Sequence, residues 1–341
     1  EEQELARMIP MGVQHFLDGL AAQAKSAQLG AENVVQIPGY GGVPKDISNE
    51  DLAYLEEDLE LVHIGAGTRP PRDKVPMLEF LQGGQISWFD LGLQADVERE
   101  KTHDLLRMVE QDLEQRGATR INLYHEPGAG GSTVARRVLW VLHQRYPTVI
   151  MHHCSARETG ERIARIYQVA GQSILILREG GDVPESEAEH LADILASKHV
   201  PCVLLQVLRR YRQPIASRRN IFLLAKMKTS ETERFRVAFE REVPSRRNQI
   251  AQLAAGEEST RTPFLFGLTA FAAEFTGLSS YVQNHLSQVP PPQIRVLQYL
   301  ALAYNYGQQA LAASHFAEHL QLPQARPVDF VKVLCEEARR L

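Results

Sequence analysis

"INLYHEPGAGGSTVARRVLW", residues 121–140, is the stretch that decides the fold. A short apolar run, a glycine-rich turn and a helical pattern follow one another, as in the phosphate-binding loop G-x-x-x-x-G-K-[ST]. With Gly130 aligned to the last glycine of that pattern, Gly131 takes the lysine position and His125 takes the position of the first glycine. The sequence therefore predicts a phosphate loop that lacks its usual lysine.

The loop's chemistry depends mainly on its backbone. Amides at a helix N-terminus point at an anion with support from the helix dipole, and glycines permit the tight path. The predicted nucleotide-binding loop comprises His125, Glu126, Pro127, Gly128, Ala129, Gly130, Gly131, Ser132 and Thr133. The Ser132 hydroxyl is the candidate ligand of Mg²⁺, and ATP or ADP is the expected cofactor. Without the lysine, we expect binding to persist but transition-state stabilisation to be lost.

Several arginines are candidates to replace the missing charge. Arg136 and Arg137 follow one turn into the helix, and Arg178 ends the third predicted strand, where an aspartate usually holds magnesium. In a parallel sheet of this topology the third strand is expected to lie beside the first, which places Arg178 near the glycine loop as a replacement for the lysine charge. The alternative is that Arg178 faces solvent or pairs with Asp182. Glu179 remains as the candidate catalytic carboxylate.

Arg209 follows the fourth predicted strand, where a sensor of the γ-phosphate is expected. The alternative is an ordinary exposed basic loop. His152, His153 and Cys154 are successive strand residues, so they cannot all converge on one metal ion.

Outward from the loop, apolar runs alternate with helical patterns. Strands are predicted at 121–125, 148–154, 173–179, 201–208 and 220–227, with helices at 132–146 and 159–170. This alternation predicts an α/β P-loop NTPase with a five-stranded parallel sheet, whose ligands bind at the carboxyl ends of the strands. A helical lid and a partial winged-helix domain are predicted to follow.

The predicted organisation has four parts. Residues 1–77 form an N-terminal α/β segment, interpreted as the end of an effector domain, and 78–230 form the NTPase core. Residues 231–288 form the lid, and 289–341 form a truncated winged-helix-like unit after the break VPPP. Helices are also predicted at 4–29 and 96–116, and the HIGAGT stretch at 63–68 is interpreted as a turn.

Composition is typical of a cytoplasmic globular protein. The net charge is −5, 44% of residues are hydrophobic, and the three cysteines are far apart. No apolar run is long enough for a membrane span. Because the chain begins without methionine and ends inside a predicted helix, we expect it to be part of a longer polypeptide.

A basic zone interrupts this acidic chain. Residues 198–247 contain thirteen lysines and arginines against four acids. A solvated surface is the ordinary interpretation, and nucleic-acid binding through the arginine-rich stretch 209–219 is the alternative.

The loop motif resembles that of the sterile alpha motif domain-containing protein 9 family and its bacterial relatives, which also has paired glycines and hydroxyls without lysine. FLQGGQISWFDL (residues 80–91) and FLFGLTAFAAEFTGLSSYV (residues 264–282) extend the resemblance over about residues 78–286. It implies a STAND-type (AAA+-like) P-loop ATPase module that uses bound nucleotide to control self-association and an attached effector, in antiviral defence. By position, Gly128, Gly130, Gly131, Ser132 and Thr133 would bind phosphate, and Glu179 would be the Walker B acid.

Two hypotheses from different classes follow. The first is a nucleotide-gated switch with slow or absent hydrolysis. The second is a scaffold whose loop binds no nucleotide and whose basic face contacts nucleic acid or a partner protein.

Overall fold

The computed structural model describes most of the chain after residue 34. The described residues are 35–68, 80, 84–180, 183–210, 217–271, 275, 277–303, 306, 311–322, 328–335 and 337–338. The helix predicted at 4–29 lies outside them.

Within the described ranges, eight strands form two sheets. Strands β1 (Val35–Pro38) and β2 (Pro44–Ile47) pair as an antiparallel hairpin. The main sheet has six strands in the order β3-β5-β6-β7-β4-β8. Their bounds are β3 Leu59–Leu61, β4 Ala118–His125, β5 Thr148–Met151, β6 Ile174–Arg178, β7 Cys202–Arg209 and β8 Asn220–Leu223.

The main sheet is mixed. Strands β4 to β8, which correspond to the five predicted strands, are parallel to their neighbours, and β3 pairs antiparallel with β5 at one edge. The α/β class is confirmed. The prediction of a five-stranded parallel sheet is corrected, because a sixth strand, β3, adds to the sheet in the antiparallel direction.

Strand order also differs from the prediction. Sequence analysis placed the third strand of the set, β6, beside the first, β4, but β7 lies between them. The register pairs His125 at the end of β4 with Arg209 in β7 and with Leu223 in β8. The strands nearest to the glycine loop are therefore the fourth and the fifth.

Twelve helices are found among the described residues. Their bounds are α1 Asn49–Leu55, α2 Trp88–Gly92, α3 Glu100–Glu114, α4 Gly131–Leu142, α5 Ala156–Ala170, α6 Glu185–Ser197, α7 Thr229–Glu242, α8 Arg247–Ala255, α9 Pro263–Phe271, α10 Leu278–Leu286, α11 Pro291–Leu302 and α12 Phe330–Val333. Serine caps begin α1 and α2, where the Ser48 and Ser87 side chains accept backbone hydrogen bonds.

Both faces of the main sheet are buried because alternate strand residues supply two apolar cores. On one face Val149, Ile174 and Ile176 pack with α5 and α6 side chains such as Ile163 and Leu191. On the other face the intervening residues pack with α3 and α4 side chains, including Ile150, Leu175, Leu105, Val138 and Leu142. This double coverage explains the continuous apolar runs of β5 to β7.

The described part of the predicted N-terminal segment packs into the first of these two cores and adds a strand to the main sheet. Ile37, Leu55 and Leu59 share the first core, and β3 is a strand of the main sheet. Arg162 of α5 donates to Asp58 Oδ2 at 2.6 Å and to the Tyr54 carbonyl oxygen at 2.8 Å. Residues 35–61 are therefore packed into the α/β core rather than separate from it, because β3 extends the sheet edge.

Helices dominate after β8. Helices α7 to α9 enclose a core around Met227, Phe235, Phe239 and Phe266. Farther along, Val289, Leu334 and Ala338 form a small separate cluster. The lid and the winged-helix-like unit remain predictions. No helix in the described part of the chain combines the length and apolarity needed to cross a membrane.

Candidate functional site

The glycine loop connects β4 to α4 at the carboxyl edge of the main sheet. Gly128 and Gly130 have left-handed backbones, with φ of 72° and 83°. Gly130 is the N-cap of α4 and provides no side-chain cap. The amides of residues 131–133 have no partner within the helix, since the first turn of an α-helix leaves its donors unpaired. This geometry presents successive backbone donors together with the positive end of the helix dipole.

Backbone and side-chain bonds hold the loop to the neighbouring strands. The Glu126 amide donates to the Leu223 carbonyl oxygen at 3.1 Å, and the Arg210 amide donates to the His125 carbonyl oxygen at 2.9 Å. The Glu126 carboxylate accepts from the Ala225 amide at 2.8 Å. Glu126 is therefore placed to anchor the loop on the end of β8.

His125 is buried beneath the loop, with 7% of its surface exposed. Its Nδ1 lies 2.9 Å from the Glu126 carbonyl oxygen. Burial lowers the pKa of His125, and the positive charge of Arg209 lowers it further, whereas the Glu126 hydrogen bond opposes the shift. The imidazole is therefore held towards its neutral form.

The two hydroxyl residues of the loop are half-buried at the start of α4. Thr133 lines the cavity described below, and Ser132 precedes it in the first turn. The described residues contain no cluster of three or more histidine, cysteine or acidic side chains suited to a metal. A lone hydroxyl is a poor donor set for Mg²⁺, which prefers carboxylate and phosphate oxygens.

Glu179, the predicted catalytic carboxylate, is bound to Arg136. The Arg136 Nε donates to Glu179 Oε1 at 2.8 Å, with a second, shorter bond from Nη2, and Gln85 Nε2 donates at 2.9 Å. The guanidinium also stacks 5.4 Å from the Trp88 ring centroid. Arg136 is therefore committed to this pair, and its cation neutralises the Glu179 carboxylate.

Arg137 is likewise paired, in this case with Asp96. Its Nε donates to Asp96 Oδ2 at 2.9 Å, and Nη2 makes a second contact. Burial lowers the pKa of Arg137 to about 10. This pair ties α4 to the segment before α3.

Arg178 does not supply the charge missing from the loop. Its Nε donates to the Val183 carbonyl oxygen at 2.9 Å, and Nη1 donates to Gln206 Oε1 at 3.3 Å. It is only 5% exposed, so the solvent-facing alternative is also wrong. The hypothesis of a relocated charge depended on β6 lying beside β4, whereas β7 separates them. The alternative partner, Asp182, lies outside the described residues.

Arg209 is exposed at the end of β7, opposite His125 in the register. Its predicted contact with a γ-phosphate remains a prediction. Just after β5, His152 Nε2 lies 3.1 Å from Glu60 Oε2.

Sequence analysis missed Arg99, which joins three parts of the site. Its Nε donates to Glu231 Oε1 at 2.9 Å and Nη2 donates to the Leu224 carbonyl oxygen at 2.9 Å. Nη1 donates to the carbonyl oxygen of Ala129 inside the glycine loop. The side chain is 4% exposed. These partners lie 30, 125 and 132 residues away in sequence, so no local pattern could have revealed them.

A cavity of about 190 Å³ adjoins the loop. One wall is the loop and the start of α4, a second is the segment before α3, and a third comes from α7 and α9. The lining residues are Phe80, Gly84, Ala95, Asp96, Val97, Glu98, Arg99, Thr102, Gly128, Ala129, Gly130, Thr133, Val134, Phe235, Phe239, Pro263, Phe264, Gly267 and Leu268. An apolar cavity with a few polar groups beside an amide-rich loop is suited to a flat ring joined to an anion.

The glycine loop also lies directly against helix α9. A Cβ atom on Gly128 would lie 3.0 Å from the Cβ of Phe264 in α9. Glycine at position 128 therefore serves both the positive φ and the close approach of α9.

The comparisons with known proteins give partial matches. No family model matches the chain. Sterile alpha motif domain-containing protein 9 of Homo sapiens is 29% identical over 119 residues, which cover 29% of this chain and 8% of that protein. Sterile alpha motif domain-containing protein 9-like of Mus musculus is 29% identical over 98 residues, which cover 26% of this chain and 6% of that protein. The matched stretches thus span less than a tenth of these relatives.

Among solved structures, the STAND protein PH0952 of Pyrococcus horikoshii, which has a tetratricopeptide repeat sensor, is 12% identical with a TM-score of 0.33. That match covers 61% of this chain and 35% of PH0952. Rhizobiales Trip13 is 13% identical with a TM-score of 0.34, and the match covers 65% of this chain and 99% of Trip13. These similarities are too distant to bear on function.

Proposed function

We propose that the protein is a nucleotide-binding switch that takes ADP or ATP between the glycine loop and helices α7 and α9. The observation that carries this proposal is the cavity of about 190 Å³ that is lined by Gly128, Gly130 and Thr133, where the glycine loop enters α4. An anion site and a ring-sized apolar cavity in contact match the two ends of a nucleotide.

In this proposal the phosphates bind to backbone amides. The amides of residues 131–133 and the left-handed turns at Gly128 and Gly130 form the cradle. The Ser132 and Thr133 hydroxyls add donors at its rim. Arg99, Arg136 and Arg137 are each held by a carboxylate, and Arg178 is bonded to Val183, so in this proposal the dipole and the amides carry most of the binding and Arg209 is the candidate side-chain cation.

The base occupies the cavity between the segment before α3 and α9. Val97, Phe264 and Leu268 offer apolar surface there, and Thr102 and Thr133 offer hydroxyls. A purine ring buried in such a site gains apolar contact, while the few polar groups orient it.

Hydrolysis is proposed to be slow or absent. The lysine that stabilises charge on the transferred phosphate is replaced by Gly131, and Glu179 is neutralised by Arg136. Arg136 and Gln85 both donate to Glu179 Oε1, so this oxygen is already engaged by protein donors. The donor set does not fit a protein-held Mg²⁺, so no step is assigned to a metal ion.

The switch itself is proposed to act through α7 and α9. Arg99 joins the loop to Glu231 in α7, and Gly128 touches Phe264 in α9. A ligand that orders the loop would therefore favour one arrangement of these helices over another. Control of self-association, of an attached effector and of antiviral defence is the part of the proposal that rests on the resemblance in sequence.

The test is calorimetric titration of the protein with ADP and ATP, using a variant that fills the cavity. Ala95 lines the cavity, so Ala95→Trp should weaken nucleotide binding at least tenfold. Ala53→Trp on the exposed face of α1 is the matched control and should bind normally. Wild-type protein that is folded and gives no heat with either nucleotide would refute the proposal.

The scaffold alternative is less well supported. Among the described residues of the zone 198–247, ion pairs with acidic side chains hold Lys198, Arg210, Arg219, Lys226, Lys228, Arg236, Arg241 and Arg247. Pairing reduces the positive field that would attract nucleic acid. Retention on an oligonucleotide that falls steeply with salt would favour the alternative.

A further inference from the structure

Gly131 is a position where only glycine fits beside His125. A Cβ atom at residue 131 would lie 2.4 Å from both Cγ and Cδ2 of the His125 ring and 2.8 Å from its Nε2. Carbon atoms in a packed protein approach one another to about 3.5 Å at best. Any side chain at this position therefore requires the imidazole to move.

The imidazole is not free to move. His125 ends β4 between Arg209 of β7 and Leu223 of β8, and its ring is buried. Its Nδ1 lies 2.9 Å from the Glu126 carbonyl oxygen. Because a carbonyl oxygen only accepts, Nδ1 carries the proton of this bond. Rotating the ring away would break that bond and open a void under the loop.

We propose that the His125 ring occupies the volume through which the lysine stem passes in a conventional phosphate loop, so that residues 125 and 131 act as one coupled pair. The two positions are also the two that depart from G-x-x-x-x-G-K-[ST]. His125 is then the specificity-determining residue that excludes a lysine and leaves a phosphate site made of amides. The proposal has two halves. The steric half, that residues 125 and 131 compete for the same volume, stands on the contacts alone. The ligand half, that this competition leaves a phosphate site made of amides, rests on the proposed function.

The steric half predicts coupling in stability. Gly131→Ala should destabilise the wild-type protein strongly, and its cost should shrink sharply when His125→Gly is already present. Gly130→Ala is the matched control: a Cβ at Gly130 meets nothing within 4 Å, and its cost comes from the positive φ. The cost at position 130 should therefore be the same in both backgrounds.

Denaturation midpoints of the single and double variants measure this coupling. If Gly131→Ala alone does not fold, the double variant is compared with His125→Gly alone, and a small difference supports the pairing. Equal costs of Gly131→Ala in both backgrounds, or a double variant that also fails to fold while His125→Gly folds, would overturn it.

The ligand half predicts a gain of binding from the double change His125→Gly with Gly131→Lys, which restores the consensus pattern. A hydrogen bond from a cation to phosphate should tighten ATP binding about tenfold or more relative to His125→Gly alone. An unchanged ATP affinity in the folded double variant would contradict this half.

The two sets of measurements separate the possible failures. Stability coupling without nucleotide binding by wild type would refute the proposed function and keep the steric pairing. Nucleotide binding by wild type without stability coupling would refute the steric pairing and keep the proposed function.

Discussion

Arg99, Arg136, Arg137 and Arg178 are each held by a protein partner. Arg99 binds the buried Glu231, Arg136 binds the partly buried Glu179, Arg137 binds Asp96, and Arg178 binds a carbonyl and an amide oxygen. Opposite charges placed this close in a dry site stabilise each other, but neither remains available to a ligand. Arg99, Arg136 and Arg137 are thus neutralised by their carboxylates, whereas Arg209 places a positive charge opposite His125 at the end of β7.

Arg99 is the residue whose removal should cost most. Arg99→Ala leaves Glu231 buried without its cation, and truncating one partner of a buried pair costs roughly 3–5 kcal/mol. Urea denaturation measures the loss. Lys101→Ala, which removes half of an exposed pair with Asp104, should cost less than about 1 kcal/mol. Equal losses for the two variants would show that Arg99 is not a structural junction.

Glu179 is predicted to contribute mainly to the stability of the fold. Glu179→Gln leaves the Arg136 guanidinium, 6% exposed, without its carboxylate, so the free energy of unfolding should fall by roughly 2–4 kcal/mol. Adding Arg136→Met to this variant should recover part of the loss, because no unpaired charge then remains. A Glu179→Gln variant of unchanged stability that loses a measurable ATPase rate would instead favour the catalytic role.

Two buried histidines, His125 and His143, and the half-buried His63 give the protein an acid-sensitive stability. Burial lowers the pKa of His63, His125 and His143. The folded state then binds fewer protons than the unfolded state below about pH 6.5, so the free energy of unfolding falls as pH decreases. The slope is at most about 1.4 kcal/mol per pH unit for each histidine.

Urea denaturation between pH 7.5 and about 5.5, above most carboxyl titrations, tests this expectation. His143→Gln should flatten the dependence, and His103→Gln, at a side chain that is 70% exposed, should leave it unchanged. Stability that rises as pH falls through this window would contradict the assignment.

At the scale of elements, the apolar runs predicted the strands well because strands buried on both faces carry no polar alternation. Helix ends were less accurate: the helix predicted at 96–116 begins at Glu100, after Arg99 has turned into the site. Strand β3 was missed because only three residues, two of them apolar, form it at an edge. Such a short strand has no periodicity to detect.

Strand order could not be predicted from the same patterns. The connections through α4, α5 and α6 are long enough for β7 to insert beside β4, and only the packed sheet decides this placement. The error moved Arg178 next to the loop in the prediction, whereas its true neighbours are Val183 and Gln206. The loop itself was predictable because its glycines and the helix start are consecutive in sequence.

For the whole molecule, the glycine loop is the point at which the sheet meets the helical segment. Arg99 and the Gly128–Phe264 contact cross between them, and the cavity lies at the same junction. Nothing local in the sequence predicted this junction, because its residues come from three distant parts of the chain. A ligand bound there would contact both parts at once, which is what a switch requires.

Hydrogen–deuterium exchange with and without ADP measures this central claim most directly, because exchange reports on the amides that are proposed to hold the phosphates. The account predicts that saturating ADP slows exchange in residues 128–134 and in α9 together, while α1, far from the cavity, is unchanged. Saturating ADP that leaves the loop amides exchanging at their original rate would contradict it.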